Sequence, residues 1–317
     1  MNRYLLQRLV QLVPVLIGVS LVAFCILRLA PGDPVALMLP GDATQEQIQD
    51  LRRRLGLDQP LPVQYLSWLG SALQGNLGTS LFTSRPVMVE ILERFPNTAI
   101  LTAAALLIAL LGGMALGILA AVKHGSKFDS TAMVVSVAGW SMPPFWIGLI
   151  LIIFFGVQLK WLPTSGMYEA SSLENSLSDL ARHLVLPAFT LGVRHMAYVA
   201  RLTRSSLLEV LGEDYIRTAR AKGLREWVVL NRHALRNALI PVLTVAGVSV
   251  GHLLGGAVIV EAVFAWPGVG SLMLKGILAR DFPLVQGGLV FVASVFVLVN
   301  LLVDMLYAVI DPRIRYA

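Results

Sequence analysis

Hydrophobic residues in this chain are grouped in six long runs that are separated by polar stretches. Each run is close to the roughly 20 residues that an α-helix needs to cross a bilayer core of about 30 Å. The runs lie at about Leu9–Leu29, Thr98–Val122, Thr131–Val157, Leu184–Leu202, Ala238–Phe264 and Leu284–Ile310. The pattern predicts an all-α polytopic membrane protein with six transmembrane helices.

Composition supports this prediction. The 317 residues are 56% hydrophobic and only 14% charged, which excludes an ordinary soluble domain. The first run follows Arg3 and Arg8 as in a signal peptide, but its apolar core is too long and no small-residue cleavage site precedes Pro31. We therefore expect an uncleaved anchor helix.

Basic residues predict the orientation of the spans. If the spans alternate, one side receives most of the lysines and arginines, and cytoplasmic loops are the ones that accumulate these residues. The set on that side comprises Arg3, Arg8, Lys123, Lys127, the eight basic residues from Arg201 to Arg236, Arg313 and Arg315. Both termini are thus predicted to be cytoplasmic. The same rule accounts for the net charge of +6, so nucleic-acid binding is not expected.

Three regions are predicted from this topology. Residues 1–30 form the anchor helix, residues 31–97 form an external subdomain, and residues 98–317 form the transmembrane domain with a cytoplasmic loop at 203–237. Within the external subdomain, a helix is predicted over Thr44–Leu55, with Thr44 as N-cap and Gln47 at position N3 of a capping box. A second external loop, Gln158–His183, carries Trp161 at the membrane edge.

Motifs for catalysis, metal binding and nucleotide binding are missing from the sequence. Cys25 is the single cysteine, and the five histidines show no metal-ligand spacing. No G-x-x-x-x-G-K-[ST] phosphate loop occurs, and no acid/base or nucleophile constellation can be assembled from the loops. We expect a chain that is not an enzyme, has no metal site and leaves any ATP hydrolysis to another polypeptide.

The polar, basic segment from Arg201 to Pro241 is patterned as two short helices separated by Gly223. Acidic residues at the start of Glu213–Lys222 and basic residues near its end suit the helix dipole. Gly223 is expected to end this helix in a left-handed conformation, and a second helix is expected to begin near Arg225. Patterning alone leaves two possibilities open, namely a projecting knob and a basic anchor at the membrane interface.

This segment resembles the coupling loop of dipeptide/oligopeptide ABC-importer permeases. The similarity covers EDYIRTARAKGL at 213–224 and HALRNALIP at 233–241, and it extends to LRLAPGDP at 27–34, LGLD at 55–58, GNLG at 75–78, SMP at 141–143, FAWPGVG at 264–270 and NLLVD at 300–304. The resemblance implies that a partner ATPase contacts the loop through Glu213, Asp214, Tyr215, Ile216, Arg217, Thr218, Ala219, Arg220, Lys222, Gly223 and Leu224.

The general importer motif E-A-A-x3-G-x9-I-x-L-P is only partly kept. Arg217 stands at the position of the Glu, Thr218 and Ala219 at the two Ala, Gly223 at the Gly, and Leu235-Arg236 at Leu-Pro. Such departures are usual in the peptide branch of the family, and the early external loop resembles the B-type subunit. Glutathione and nickel importers share these motifs and remain alternatives. A secondary transporter is a rival class, but no inverted repeat and no paired intramembrane carboxylates are recognisable.

The resemblance also implies an assembly in the bacterial inner membrane. It would contain this permease, a homologous second permease, two ATPase subunits that bind ATP and Mg, and a periplasmic solute-binding protein. Cytosolic closure of the ATPases would move residues 213–224 as a rigid lever, with packing expected from Leu207-Leu208 and Trp227-Val228. Arg217 and Arg220 are the charged residues expected to contact the ATPase.

A substrate path is predicted from residues that are unusual inside membrane helices. Ser141, Met142 and Pro143, followed by Pro144, should kink the third span, and Arg194 and His195 are ionisable groups inside the fourth. Gly247, Gly251 and Gly255 form a small-residue stripe, which suits packing within the chain or against the second permease. Trp266, Pro267 and Gly268 resemble a family segment that dips toward the path and helps release substrate from the binding protein.

Overall fold

The computed structural model describes residues 2–29, 44–54, 56–169 and 176–310 of the chain. The Pro31–Pro34 motif and the basic residues Arg313 and Arg315 lie outside these ranges. The described chain forms two compact units. Of the described residues, unit 1 contains those up to residue 97 and those from 267 to 301, and unit 2 contains those from 98 to 266 and from 302 to 310.

The described residues are helical throughout, apart from loops and one isolated β-bridge between Thr79 and Pro86, which confirms the predicted all-α class. In chain order the helices are α1 Asn2–Leu29, α2 Gln45–Arg54, α3 Leu61–Leu73, α4 Val87–Val122, α5 Lys127–Ser141, α6 Pro144–Leu151, α7 Leu177–Leu211, α8 Asp214–Ala221, α9 Glu226–Val228, α10 Leu235–Ala238, α11 Ile240–Val263, α12 Val269–Leu278 and α13 Phe282–Ile310. The structure also contains two π-helical segments, Ile152–Gln158 after α6 and Val229–Ala234 after α9.

Among the described residues, three helices are long and apolar enough to cross a bilayer: α4, α11 and the Phe282–Val303 part of α13. A fourth candidate is the broken pair formed by α5 with α6 and its π-helical extension, which bends by 109°. The predicted kink at Ser141-Met142-Pro143-Pro144 is therefore confirmed. Helix α7 falls short of the same hydropathy because polar residues such as Arg194 and His195 interrupt its apolar surface. The count of six spans stays a prediction.

Unit 1 packs around the start of α4. Its buried core contains Leu77, Val87, Ile91, Val269, Met273 and Leu284. Helix α3 lies against α1, where the Ser20 and Tyr65 hydroxyls are 2.8 Å apart and the Tyr65 ring meets Phe24 edge-on at 5.5 Å. The predicted capping box is present, because Thr44 N donates to Gln47 Oε1 at 2.9 Å and Gln47 N donates to Thr44 Oγ1 at 3.3 Å.

Unit 2 is built on α7, which packs against α4, α5, α6 and α11. Glycines bring α4 and α7 together, since a Cβ at Gly113 would lie 2.7 Å from Met196 O and one at Gly117 would lie 2.5 Å from Ala200 O. A Cβ at Gly192 would lie 2.6 Å from Ala105 O. Gly113, Gly117 and Gly192 therefore permit the close approach of α4 and α7, whereas a Cβ at Gly255 would meet nothing within 4 Å.

Candidate coupling site

Helix α8 is the central element of the candidate site, and its bounds agree with the sequence prediction. Glu213 has the extended backbone of an N-cap, and Asp214 occupies the first turn. At the other end Gly223 N donates to Arg220 O at 2.9 Å, and Gly223 adopts a φ of 75°. This left-handed conformation favours glycine because a Cβ there meets the following carbonyl oxygen.

One face of α8 is anchored in a buried cluster. Ile216 and Ala219 are the buried residues of the helix. They pack with Ala121 at the end of α4, Leu207 near the end of α7, and Val229, Ala234 and Ala238 from the segments that follow. Full burial of an isoleucine is worth about 1.5–3 kcal/mol, so the cluster fixes α8 onto the ends of the long helices.

The segment after Gly223 differs from the expected packing. Trp227 was expected to anchor the loop, but its side chain is 74% exposed. Val229 is fully buried instead, with Leu230 beside it. The backbone becomes π-helical at Val229, and the wider turn changes which side chains face the cluster. Leu207 and Leu208, the other expected anchors, do pack there.

An ion pair ties α8 to the next helix. Arg220 Nη2 lies 2.5 Å from Glu226 Oε1, and Arg220 Nε lies 3.2 Å from both carboxylate oxygens. Hydrogen bonding and charge from Arg220 hold the pKa of the Glu226 carboxyl below its ordinary value, and Glu226 raises the pKa of Arg220 by the same means. The contribution of the pair is thus present at neutral pH and is lost as the pH falls through the lowered pKa of Glu226.

The two arginines expected to contact an ATPase therefore have different surroundings. Arg220 has a partner on its own chain, whereas the side chain of Arg217 is 73% exposed and lies 3.3 Å from Asp214, which is 94% exposed. Tyr215 also lies outward and accepts a hydrogen bond from Asn237 Nδ2 at 2.9 Å. The outward surface of the loop consists of Glu213, Asp214, Tyr215, Arg217, Thr218, Lys222 and Leu224, all exposed.

A second ion pair supports the helices beneath α8. Arg204 of α7 donates from Nε to Asp129 Oδ1 at 2.5 Å and from Nη2 to Asp129 Oδ2 at 2.7 Å. Gly125 N donates to the same carboxylate at 3.1 Å, and His124 Nδ1 lies 3.2 Å from it. Asp129 thereby joins the turn between α4 and α5 to α7. Its partner on α7, Arg204, precedes the buried Leu207 by three positions. The sequence prediction missed this pair because its members are 75 positions apart.

Of the predicted path residues, Arg194 lies beside the break in the third span. Ser141, Met142 and Pro143 are exposed at the bend between α5 and α6. Arg194 lies over the Trp140 ring, with its Cζ 4.7 Å from the ring centroid. The ring of His195 is 6.3 Å from that of His252 on α11. Trp140 and His252 were not predicted, although Trp140 directly precedes the Ser-Met-Pro signal.

The glycine stripe of α11 has no uniform environment. Gly251 is buried, Gly247 is half-buried and Gly255 is exposed to open space. Packing within the described part of the chain therefore does not explain Gly255.

The predicted release segment is well anchored. Within unit 2, Trp266 is fully buried, and its backbone N donates to Glu261 O at 2.8 Å. Within unit 1, Pro267 O accepts a hydrogen bond from Asn97 Nδ2 at 2.8 Å, and Gly268 is buried at the start of α12. The indole of Trp266 consequently has no free face for a docking protein.

Glu261 lies near the end of α11 and is fully buried within unit 2. Its Oε1 accepts a hydrogen bond from Thr98 Oγ1 at 2.6 Å. Burial of a carboxylate is costly without such partners, so this side chain belongs to the core.

Metal-ligand clusters of three or more His, Cys, Asp or Glu do not occur among the described residues. Long apolar helices with a polar two-helix segment docked on their ends indicate a polytopic helical membrane protein. Comparison with known proteins places it further. Residues 113–316 match the binding-protein-dependent transport system inner membrane component, and residues 1–102 match the N-terminal region of such membrane components. The chain belongs to this family of transport permeases.

Similar proteins cover the whole chain. It is 48% identical to the di/tripeptide transport system permease protein DppB of Pseudomonas aeruginosa, with 100% of this chain and 99% of the relative aligned. It is 45% identical to the glutathione transport system permease protein GsiC of Pectobacterium atrosepticum, with both chains fully covered. Among solved structures, an inward-facing MetNI methionine ABC transporter matches 71% of this chain and 97% of its own, with 18% identity and a TM-score of 0.55. That likeness concerns the fold.

Proposed function

We propose that the chain is a membrane-spanning permease subunit of an ATP-driven importer of dipeptides or short oligopeptides. Family membership supports the transport role, and the di/tripeptide and dipeptide permeases among its full-length relatives support the peptide cargo. The chain itself has no ATPase site in this proposal. ATP and Mg bind to partner subunits.

The proposed topology has six spans, with both termini in the cytoplasm of a bacterial inner membrane. Helices α1, α4, α7, α11 and α13 supply five of them, and the broken pair α5 and α6 supplies the third in order. The excess of basic residues between Arg201 and Arg236 supports a cytosolic position for α8. Residues 31–97 then form the external subdomain, and 98–317 the transmembrane domain.

The proposed complex contains this chain, a homologous second permease, two ATPase subunits, a periplasmic solute-binding protein and surrounding lipid. Coupling runs through residues 213–224. The observation that carries the proposal is the two-sided environment of α8. Ile216 and Ala219 fix its inner face to the ends of α4 and α7, and Tyr215, Arg217 and Lys222 leave a polar outer face for an ATPase groove.

Such a helix can transmit a displacement because its anchor is apolar packing on long rigid helices. Closure of the ATPase pair on ATP would push α8, and the push would reach α4 and α7 through the buried cluster. The substrate path is proposed to follow Ser141, Met142, Pro143, Arg194, His195 and the α11 glycines Gly247, Gly251 and Gly255. Trp266, Pro267 and Gly268 are proposed to support release of the cargo from the binding protein.

The test of cargo is reconstitution of the complete complex in nanodiscs, with ATP hydrolysis measured while the binding protein is loaded with different solutes. Dipeptides and tripeptides should stimulate hydrolysis. Glutathione is the second candidate, favoured by the 45% identical glutathione permease. Stimulation by glutathione or nickel alone, with no response to any dipeptide or tripeptide, would contradict the peptide assignment.

A further inference from the structure

Unit 1 contains a cavity of about 340 Å³ that the sequence did not predict. It lies between the end of α1, helix α3 and the start of α13, and its volume is in the range of small-molecule sites, about 300–1,000 Å³. Phe24, Leu57, Leu77, Leu81 and Phe282 give it apolar walls. Arg28, Gln64, Trp68 and Gln286 contribute polar groups to the same lining.

Three of these lining residues carry buried polar atoms without a hydrogen-bond partner. They are Gln64 Oε1, Trp68 Nε1 and Gln286 Nε2. Only five side-chain atoms of this kind occur in the described part of the chain, and three of them belong to residues that line this one cavity. None of the three is in contact with bulk water, and Gln286 is only 6% exposed. An unpaired buried polar group costs about 1–3 kcal/mol, so a ligand that forms hydrogen bonds with these groups would be stabilised by them.

The surrounding contacts fix what each atom can accept or donate. Gln64 Nε2 donates to Gln59 O at 2.7 Å and to Leu57 O at 3.3 Å, so its Oε1 is the group left over, an acceptor. The Trp68 ring stacks on Tyr65 at 6.3 Å, and an indole N–H is a donor only. Gln286 Nε2 is a second donor. A complementary ligand must therefore accept two hydrogen bonds and donate one.

A peptide group has this combination, because its carbonyl oxygen has two lone pairs and its nitrogen carries one hydrogen. A lipid phosphodiester would accept from Trp68 and Gln286 but would offer Gln64 Oε1 no donor. Arg28 adds a cation to the lining. It stacks on Phe24 with its Cζ 5.2 Å from the ring centroid, and a guanidinium pairs well with a terminal carboxylate.

We propose that this cavity binds a short peptide through its backbone. The peptide carbonyl accepts from Trp68 Nε1 and Gln286 Nε2, the peptide N–H donates to Gln64 Oε1, and Arg28 pairs with the carboxylate. Side-chain movement onto the ligand satisfies the three buried atoms. The inference rests on the proposed function, which supplies peptide as cargo, and it adds a binding site on the proposed external side, apart from the residues 141–143 and 194–195.

The test is equilibrium binding of radiolabelled trialanine to the full permease–ATPase complex, without ATP and without the binding protein. Nanodiscs of phosphatidylcholine and phosphatidylglycerol remove lipid amines as a competing donor. Trp68→Phe deletes one N–H and keeps the ring, and Gln286→Leu deletes the other donor. Each should weaken binding about tenfold, the value of one well-formed hydrogen bond. Trp161→Phe, outside the cavity, is the matched control and should bind normally.

A second arm tests the chemistry of Gln64 with an ester analogue of trialanine that lacks the inner N–H groups. The wild-type complex should bind the ester about tenfold more weakly than the peptide, and Gln64→Met should abolish this preference. Thermal melting of each variant complex checks that the unit is folded.

The outcomes separate the two proposals. Peptide uptake by the wild-type complex, with trialanine binding unchanged in Trp68→Phe and Gln286→Leu, would overturn the cavity site and leave the importer intact. Variants that lose affinity for the binding protein but not for free trialanine would also overturn it, since the cavity would then seat a protein loop. If the wild-type complex neither bound nor imported any peptide, the proposed function itself would be contradicted, and the cavity site would fall with it.

Discussion

Gly223 shows what a single residue contributes to the candidate site. A Cβ at this position would meet nothing within 4 Å, so space is not the reason for glycine. Its φ of 75° is the reason, because the left-handed turn sets the direction in which the chain leaves α8. The sequence predicted both the stop and the conformation, since a glycine directly after a basic final turn is the usual end of a helix.

Gly223→Val should reduce peptide uptake strongly while binding-protein-stimulated ATP hydrolysis persists. A left-handed β-branched residue is strained by about 1–2 kcal/mol, so the turn would relax and redirect α8. Gly223→Asn is the matched variant, because asparagine tolerates this conformation and is similar in size to valine. Uptake and hydrolysis should be measured together in proteoliposomes. Equal uptake by the Val and Asn variants would refute the role of the turn.

Arg194 is proposed to contact the cargo. Its guanidinium lies over Trp140 beside the break in the third span, where a peptide carboxylate could pair with it. We expect Arg194→Gln to lower the uptake of free dipeptides by roughly tenfold, which corresponds to a loss of about 1.4 kcal/mol in binding free energy. Uptake of C-terminally amidated dipeptides should change much less, and a similar loss for both cargoes would argue against carboxylate pairing.

At the scale of elements, α8 depends on a small apolar anchor. Its two buried side chains were predicted as part of the coupling loop, but their anchoring role appeared only with the fold, because the partners come from α4, α7 and the π-helical segment. The π-helical turn also explains the failed expectation for Trp227. Hydrophobic residues with a period of 3.6 residues indicate an α-helix. This periodicity does not reveal a π-helical turn, which contains an extra residue.

Ile216→Ala should loosen α8 without unfolding the long helices. Truncation of a fully buried isoleucine costs about 2–5 kcal/mol, and here the loss falls on one short helix. The expected result is a lower ratio of peptide imported to ATP hydrolysed. Ile259→Ala truncates a 50% exposed isoleucine on α11, outside the coupling loop, and is the control that should keep the wild-type ratio. An unchanged ratio in Ile216→Ala would show that the buried anchor does not transmit force.

The Asp129–Arg204 pair joins the start of α5 to α7 and should matter for stability and coupling together. Asp129→Asn should lower the melting temperature of the complex, because it removes the charge that Arg204 contacts twice. The double exchange Asp129→Arg with Arg204→Asp should recover part of the loss. Glu93→Gln breaks the exposed Arg85–Glu93 pair and is expected to change little. If Asp129→Asn melted at the same temperature as Glu93→Gln, the structural role of the Asp129–Arg204 ion pair would be contradicted.

For the molecule as a whole, the apolar runs and the proline break of the third span could be predicted from the sequence, because they depend on local composition. Contacts between distant residues could not. Glu261 reads as a polar end of a span but is buried against Thr98, and Gln64, Trp68 and Gln286 meet in one cavity although no motif links them. Family membership then adds what neither pattern nor packing contains, namely the transport system to which the chain belongs.

Proteoliposome uptake of a radiolabelled dipeptide is the most direct test of the account. This chain and its second permease should be reconstituted with a loaded binding protein on the external side, with and without the two ATPase subunits and ATP. The account predicts accumulation only when the ATPases and ATP are both present, because α8 receives its displacement from them. Uptake at the same rate without the ATPases would contradict the account and identify a transporter that works alone.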